Sequence, residues 1–424
     1  MSGSLKQFVL LLMLAALAGT TNSAAQLSDS LPKITATLEI RPRFEYRSNF
    51  SPTINDSVQN EFSATQRNRF TVSFTYKNLL LHSSLQEIHL WGRNNKISAI
   101  GSINAYELYL QHQVSRKLLV KLGRQSVLLD NGRIFSDAPW AQQGRSHEGL
   151  RATYTNTRLT SDIFALFTRK YKPLFDKRFS PVNEHNYQSL FIHHLRYQPS
   201  DHLSFTTINA LDFFRSSSNI HYHRFTTGGR IAYEKGSVYS TINAYLQLGR
   251  NNTLKKLNAY YLQPEIKINL LPVSLRLGAE ILSGEKETGP NISRNFDVLY
   301  GVAWKFMGNM NFFTKFPNDV GGKGLVNPYG FVLLQLNKQL LLRTDAHLFY
   351  TQYSLMDSGG NELNKYLGFE NDISFKYNLS KKLELNGGLS YYLGSGAMET
   401  LGKLPDHGKI ALWSYLMVSY NFQY

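Results

Sequence analysis

The sequence predicts an all-β fold: a transmembrane antiparallel β-barrel of about eighteen strands, monomeric and set in the cell outer membrane. Three observations predict it. Polar and apolar residues alternate with a period of two along most of the chain. Short and long connections between these segments alternate strictly. The last segment is itself alternating and finishes on an aromatic residue, Tyr424.

The alternation is read strand by strand. Thr35, Thr37, Glu39, Arg41, Arg43 and Glu45 share one parity, while Ala36, Leu38, Ile40, Phe44 and Tyr46 share the other. Arg67, Arg69, Thr71, Ser73 and Thr75 alternate with Asn68, Phe70, Val72, Phe74 and Tyr76. Tyr239, Thr241, Asn243, Tyr245 and Gln247 oppose Val238, Ile242, Ala244, Leu246 and Leu248. Successive strand side chains point to opposite faces, so one face is apolar and the other polar. A soluble sandwich shares this parity, and the connections decide between the two.

Short connections fall at Lys77-Asn78, Ser115-Arg116, Asn156-Thr157, Gln198 to Asp201, Lys235-Gly236, Asn269 to Leu271, Lys338-Gln339 and Leu379-Ser380. Long ones fall between them at 47–65, 92–102, 129–144, 169–184, 214–220, 249–256, 284–326, 352–365 and 394–409. Barrels of the bacterial outer membrane alternate short periplasmic turns with longer outer loops in this way. The count gives eighteen strands with both ends in the periplasm. Sixteen is the alternative, and 296–306 is assigned to the long outer loop because an odd count breaks the alternation. The final strand, with Leu416, Val418, Tyr420, Phe422 and Tyr424 on one face, closes the cylinder; an open edge in lipid leaves backbone groups unsatisfied. Its pattern resembles the C-terminal signal read by the barrel-assembly machinery.

At the other end, Lys6 precedes an apolar run from Phe8 to Leu17, and Ser23-Ala24-Ala25 offers small residues for cleavage. Residues 1–25 are expected to be a signal peptide and 26–424 the barrel; a retained anchor is the alternative, but the run falls short of the roughly 20 residues a spanning helix needs. The chain has no Cys, which excludes lipid attachment through cysteine, disulfide scaffolds and zinc–thiolate sites. No later stretch reaches transmembrane-helix length without a charge. Aromatics are 13% of residues, with 25 Tyr and 26 Phe, a composition suited to interfacial girdles in contact with outer-membrane lipid.

Lys and Arg total 46 against 30 Asp and Glu, a formal charge of +16. Such a balance suggests nucleic acid, yet the basic residues are spread one or two per strand rather than gathered into a patch. That distribution points to a charged lumen. On the polar parity lie Arg41, Arg43, Arg67, Arg69, Arg145, Arg151, Arg224, Arg230, Arg276 and Arg343, with Lys267 and Lys376. Glu39, Glu45, Glu107, Asp162, Glu265, Glu280, Asp345, Glu370, Asp372 and Glu384 share it. Placing an Arg at mid-bilayer costs about 2–4 kcal/mol, so inward placement is favoured. Most of these charges are read as neutralising one another across strands. The exceptions are Arg41/Arg43 and Arg67/Arg69, which repeat at i, i+2 on adjacent strands, with Glu39 and Glu45 as partial partners. Four guanidinium groups together anticipate an anion, and rings of Arg or Lys select anions in pores.

The segment 85–151 carries Leu85-Gln86-Glu87-Ile88-His89-Leu90-Trp91-Gly92, then Leu122-Gly123-Arg124-Gln125, Arg133, Trp140 and Gly144-Arg145-Ser146-His147-Glu148-Gly149-Leu150-Arg151. Preceded by Arg41-Pro42-Arg43-Phe44-Glu45 and Arg67-Asn68-Arg69-Phe70, and followed by Phe296-Asp297-Val298-Leu299-Tyr300-Gly301, this order resembles the alginate-export family of outer-membrane porins. The resemblance implies an arginine-rich constriction that passes an anionic polysaccharide or its fragments. It singles out Arg41, Arg43, Arg69, Arg124, Arg133, Arg145 and Arg151, to which the parity adds Arg67, Glu45 and Glu107 as pore-lining positions. Arg124 sits on the outward parity with Leu122 unless Gly123 marks a bulge. His147 stands where the family often has an acid.

Enzyme chemistry is not expected. His193 and His194 face opposite sides of a strand, and His221 and His223 lack a third ligand nearby in sequence, so no metal and no cofactor are expected. Neither a nucleophile turn nor a phosphate loop is present. Two readings stay open: a channel for an anionic saccharide, and a general or small-anion porin or plugged structural barrel, with the 284–326 loop as the plug.

Overall fold

The computed structural model describes residues 31–49, 60–92, 103–168, 187–216, 219–287 and 289–424. The expected signal peptide, and most of the loops at 47–65, 92–102 and 169–184, lie outside the described residues. The strands are β1 (Lys33–Ser48), β2 (Asn60–Tyr76), β3 (Leu79–Leu90), β4 (Asn104–Gln113), β5 (Leu118–Gln125), β6 (His147–Thr155), β7 (Leu159–Phe167), β8 (Ser189–Ser200) and β9 (Leu203–Arg215). They continue as β10 (His221–Lys235), β11 (Val238–Arg250), β12 (Lys256–Leu270), β13 (Val273–Leu282), β14 (Ile292–Ser293), β15 (Leu325–Gln335), β16 (Leu340–Tyr350), β17 (Tyr366–Asn378), β18 (Leu383–Gly394) and β19 (Ala411–Gln423).

Eighteen of these form the wall. Each pairs antiparallel with its chain neighbours, and β1 pairs with both β2 and β19, so the sheet closes on itself without an open edge. The two residues of β14 lie within the loop after β13 and add to β12 in parallel. The alternation of connections is present in full, with β1 beginning and β19 ending on the short-turn side. Several bounds move by a few residues: β8 runs to Ser200, so its turn is at 201–202, and the first inward loop starts after Gln125. No strand forms over 296–306; Tyr300 makes only an isolated bridge to Phe135.

The apolar parity lies outside. Phe70, Leu108, Leu122, Ile163, Ile242, Leu277 and Ile373 are exposed, the reverse of a soluble core and the arrangement that lipid requires. Buried on the inner face are Arg41, Arg67, Asp162, Asn243, Gln247, Glu280, Asp345 and Glu370.

The hydrophobic core sits where parity does not foretell it, inside the cylinder. The loops 126–146 and 283–324 fold inward and pack Ile134, Phe135, Phe296, Met307 and Phe313 against wall residues Leu166, Leu190, Ile208, Leu282 and Phe349. These loops are apolar enough to bury themselves only because the wall's inner face turns apolar near the outer ends of β7 to β9, β12 and β13.

Candidate functional site

The two inward loops hold each other by backbone hydrogen bonds. Tyr300 N donates to Ile134 O and Ser136 N to Tyr300 O, each at 3.1 Å, and Val302 N donates to Gly132 O at 3.1 Å. The approach is so close that a Cβ on Gly301 would lie 1.7 Å from Arg133 O. Only glycine fits there.

Buried polar side chains fasten this pair to the wall. Arg133 donates from Nε to Glu280 Oε1 at 2.6 Å and from Nη1 to Val302 O at 3.0 Å. Asp130 accepts from Thr206 Oγ1 at 2.9 Å and faces His194 Nε2 at 3.1 Å. Asn327 donates to Phe306 O at 2.6 Å. Glu370 Oε1 accepts from Met310 N at 2.8 Å, and Asp372 Oδ2 from Asn309 N at 3.1 Å. Burying loop backbone in a lumen requires partners for its N–H and C=O groups, and the wall supplies them.

The arginine quartet is brought together as expected. Arg41 lies directly across from Arg67, and Glu39 from Arg69. Its role differs from the expected open lining, because Arg41, Arg43 and Arg67 donate to loop carbonyls. Arg41 donates to Pro139 O and Ala141 O, both at 2.8 Å, and to Gln142 Oε1 at 3.1 Å. Arg67 contacts Glu39 at 2.6 Å and the carbonyls of Ala141 and Gln142 at 3.3 Å. Arg43 donates to Trp140 O at 3.1 Å and pairs with Glu45 at 3.2 Å; the same Glu45 accepts from Trp413 Nε1 at 3.1 Å. Arg69 donates to Gln86 Oε1 at 2.7 Å and lies 3.7 Å from the centre of the Tyr106 ring. Arg41, Arg43 and Arg67 seat the 139–142 segment against the wall, and Arg69 stays with Gln86 and Tyr106.

The remaining positions separate. Arg151 pairs with Asp162 at 2.8 Å, and Glu107 accepts from Ser126 N at 2.8 Å at the start of the first inward loop. Arg145 donates to the carbonyls of Tyr300 and Gly301. Arg133 is 1% exposed and lies inside the plug rather than on a water-filled surface. Arg124 is a further correction: β5 keeps its register past Gly123, and Arg124 stays on the outer face beside Leu108 and Leu122, paired with Glu148 at 3.1 Å. No bulge turns it inward. His193 and His194 do face apart: His194 contacts Asp130 and Asp162 inside, and His193 meets Ser161.

Two cavities flank the segment 299–306. The outer one, 380 Å³, is lined by Arg145, Arg224, Arg250, Asn251, Asn295, Asp297 and the rings of Phe214, Tyr222 and Tyr300. Arg224 there is held by Asp212 at 2.5 Å and Asp297 at 2.6 Å. The inner one, 320 Å³, is lined by Arg230, Arg276, Arg343, Lys305, Glu265, Asn131, Tyr239, Thr241, Trp304 and Phe306. Arg276 pairs with Glu265 at 2.5 Å, and Arg343 with Asp345. Among the described residues, neither Arg230 nor Lys305 has a carboxylate within ion-pair reach; Arg230 donates to Thr241 Oγ1 at 3.0 Å and to Tyr239. The inner cavity is therefore cationic.

The fold is that of an outer-membrane porin. The chain is similar to OpdK of Pseudomonas aeruginosa solved with vanillate, at TM-score 0.61 and 12% identity, covering 92% of this chain and 99% of that one. It is similar to OccK5 (OpdH) of the same organism, at TM-score 0.61 and 13% identity over 92% and 98% of the two chains. A third is OccAB3 of Acinetobacter baumannii, at TM-score 0.63 and 12% identity over 92% and 100%. No protein-family model matches the sequence, and no curated protein matches it. The architecture shared with these proteins is a closed antiparallel β-barrel.

Sequence reasoning did not select Arg250 or Lys305 as lining residues; they line the cavities from the end of β11 and from the second inward loop. It placed Arg230, Arg276 and Arg343 on the lumen parity without selecting them. The available signal was their shared parity near the short-turn ends of β10, β13 and β16.

Proposed function

We propose that this chain is a passive channel of the cell outer membrane for small anionic solutes, working as a monomer inserted by the barrel-assembly machinery after removal of residues 1–25. The observation that carries the reading is the inner cavity, in which Arg230, Arg276, Arg343 and Lys305 face a single lining carboxylate, Glu265. Cationic linings in a narrow, low-dielectric passage raise the local anion concentration and speed anion entry. Arg145, Arg224 and Arg250 give the outer cavity a similar bias.

An acidic saccharide of the alginate type is the solute the motif order supports, since a uronate presents the carboxylate that guanidinium forks bind in bidentate fashion. The cavity sizes of 380 and 320 Å³ suit one sugar unit at a time. A second reading, a general small-anion porin, is favoured by the constriction: two packed loops stand across the lumen, and a polymer needs them displaced. The experiment is single-channel recording in planar bilayers. Anion-selective current blocked by uronate oligomers supports the saccharide reading, and anion-selective current indifferent to them supports the second. Cation selectivity removes both.

A further inference from the structure

We infer that Asp345, His347 and Asp372 form a site for one divalent cation in the barrel wall beneath the second inward loop. Asp345 and His347 sit two apart on β16, and Asp372 lies directly across from Asp345 on β17. One ligand atom from each converges within 4.8 Å of the others, and all three residues are buried. The set mixes an imidazole nitrogen with two carboxylates.

The imidazole is oriented for coordination. Asn327 donates its amide N–H to Phe306 O, which leaves Asn327 Oδ1 as the acceptor facing His347 Nδ1 at 3.2 Å. That contact places the ring proton on Nδ1 and leaves the Nε2 lone pair as a ligand, the arrangement in which the outer partner of a metal-binding histidine fixes its tautomer.

A second observation comes from Glu370, which is outside the ligand set. It lies directly across from His347 on the same face, is fully buried, and its Oε2 has no hydrogen-bond partner. Asp372 Oδ1 lacks one too. The charges facing this patch are Asp345, Glu370, Asp372, Arg343 and, farther off, Arg276. Arg343 is bonded to Asp345, and Arg276 to Glu265. Glu370 and Asp372 accept from the backbone N–H groups of Met310 and Asn309, lie against each other and have the Ser390 hydroxyl across from Asp372, yet among the described residues no cation pairs with either buried carboxylate. Burying such a pair is costly unless a proton is shared or a metal supplies the charge. The converging imidazole favours the metal, and the mixed nitrogen–oxygen set points to Zn²⁺ or Mn²⁺ over Ca²⁺ or Mg²⁺. An ion here also stiffens the anchor of Asn309 and Met310, tightening the constriction.

The test uses the full-length protein, folded in detergent and stripped with chelator, titrated calorimetrically with ZnCl₂. One equivalent of Zn²⁺ is expected to bind, with His347→Ala and Asp372→Asn each weakening it at least roughly tenfold while the heat-modifiable migration of a folded barrel is retained. Zinc X-ray absorption on the wild-type protein is expected to show scattering from one imidazole, and it decides the matter if either variant fails to fold. No stoichiometric uptake, uptake unaltered in the variants, or a zinc shell without imidazole overturns the site and assigns the Glu370–Asp372 pair to a shared proton.

Discussion

Arg133 and Glu280 meet at 2.6 Å inside the lumen, each at most 1% exposed, and Tyr261 donates to the same carboxylate oxygen at 2.6 Å. The pair joins a loop residue to β13. Removing one partner leaves the other charge buried and uncompensated, which costs about 3–5 kcal/mol. Arg133→Ala is expected to loosen both inward loops because the Val302 carbonyl loses its donor as well. The measurement is single-channel conductance with limited proteolysis: larger or noisier conductance and new cleavage within 126–146 or 283–324 are expected. Conductance and cleavage like those of the wild type count against the clamp.

Gly301 tests the same contact from the other side. A side chain there runs into Arg133 O and the Ile134 nitrogen, both backbone atoms that cannot swing away. Gly301→Val is therefore expected to separate the loops without altering the wall. Heat-modifiable migration is expected to match the wild type while conductance rises. A conductance equal to that of the wild type shows that the loops do not set the constriction.

In the inner cavity, Arg230 and Lys305 lack ion-pair partners among the described residues, whereas Arg276 and Arg343 are already paired. Unpaired charges set the field a permeating ion meets, so Arg230→Gln with Lys305→Gln is expected to reduce anion selectivity more than Arg276→Gln with Arg343→Gln. Reversal potentials under a salt gradient measure it. The ranking is to be read at low salt, where screening is weak. Equal shifts from the two pairs contradict it.

The wall was legible in the sequence because strand parity is local and a membrane imposes it on every strand. Phe70 and Arg69 are neighbours with opposite destinations, and period two alone separates them. The count of eighteen followed because each short turn interrupts the alternation. What parity does not encode is the content of the lumen. Arg41 reads as an inward guanidinium awaiting an anion, but its partners are carbonyls of Pro139 and Ala141, about a hundred residues away. Loop residues have no parity at all, so Arg133 and Lys305 were equally readable as solvent-exposed. The Asp345–His347–Asp372 grouping also needs the register of β16 on β17, which no spacing in the chain reveals.

Arg124 and Arg41 supply a last contrast, since motif resemblance treats them alike and the structure does not. Arg124 pairs with Glu148 on the outer face, where both side chains are partly exposed, beside Leu122. Arg41 is 5% exposed and satisfies three loop acceptors. Arg124→Ala removes an exposed pair, a type worth about 0–1 kcal/mol, and is expected to leave conductance and selectivity unchanged. Arg41→Ala leaves the Pro139 carbonyl without its donor and the Ala141 carbonyl with only the longer contact to Arg67, an unmade buried hydrogen bond costing about 1–3 kcal/mol, and is expected to release the 139–142 segment. Single-channel recordings of the two variants side by side measure the difference. A change of selectivity in Arg124→Ala, with Arg41→Ala silent, would reverse the assignment of which guanidinium faces the passage.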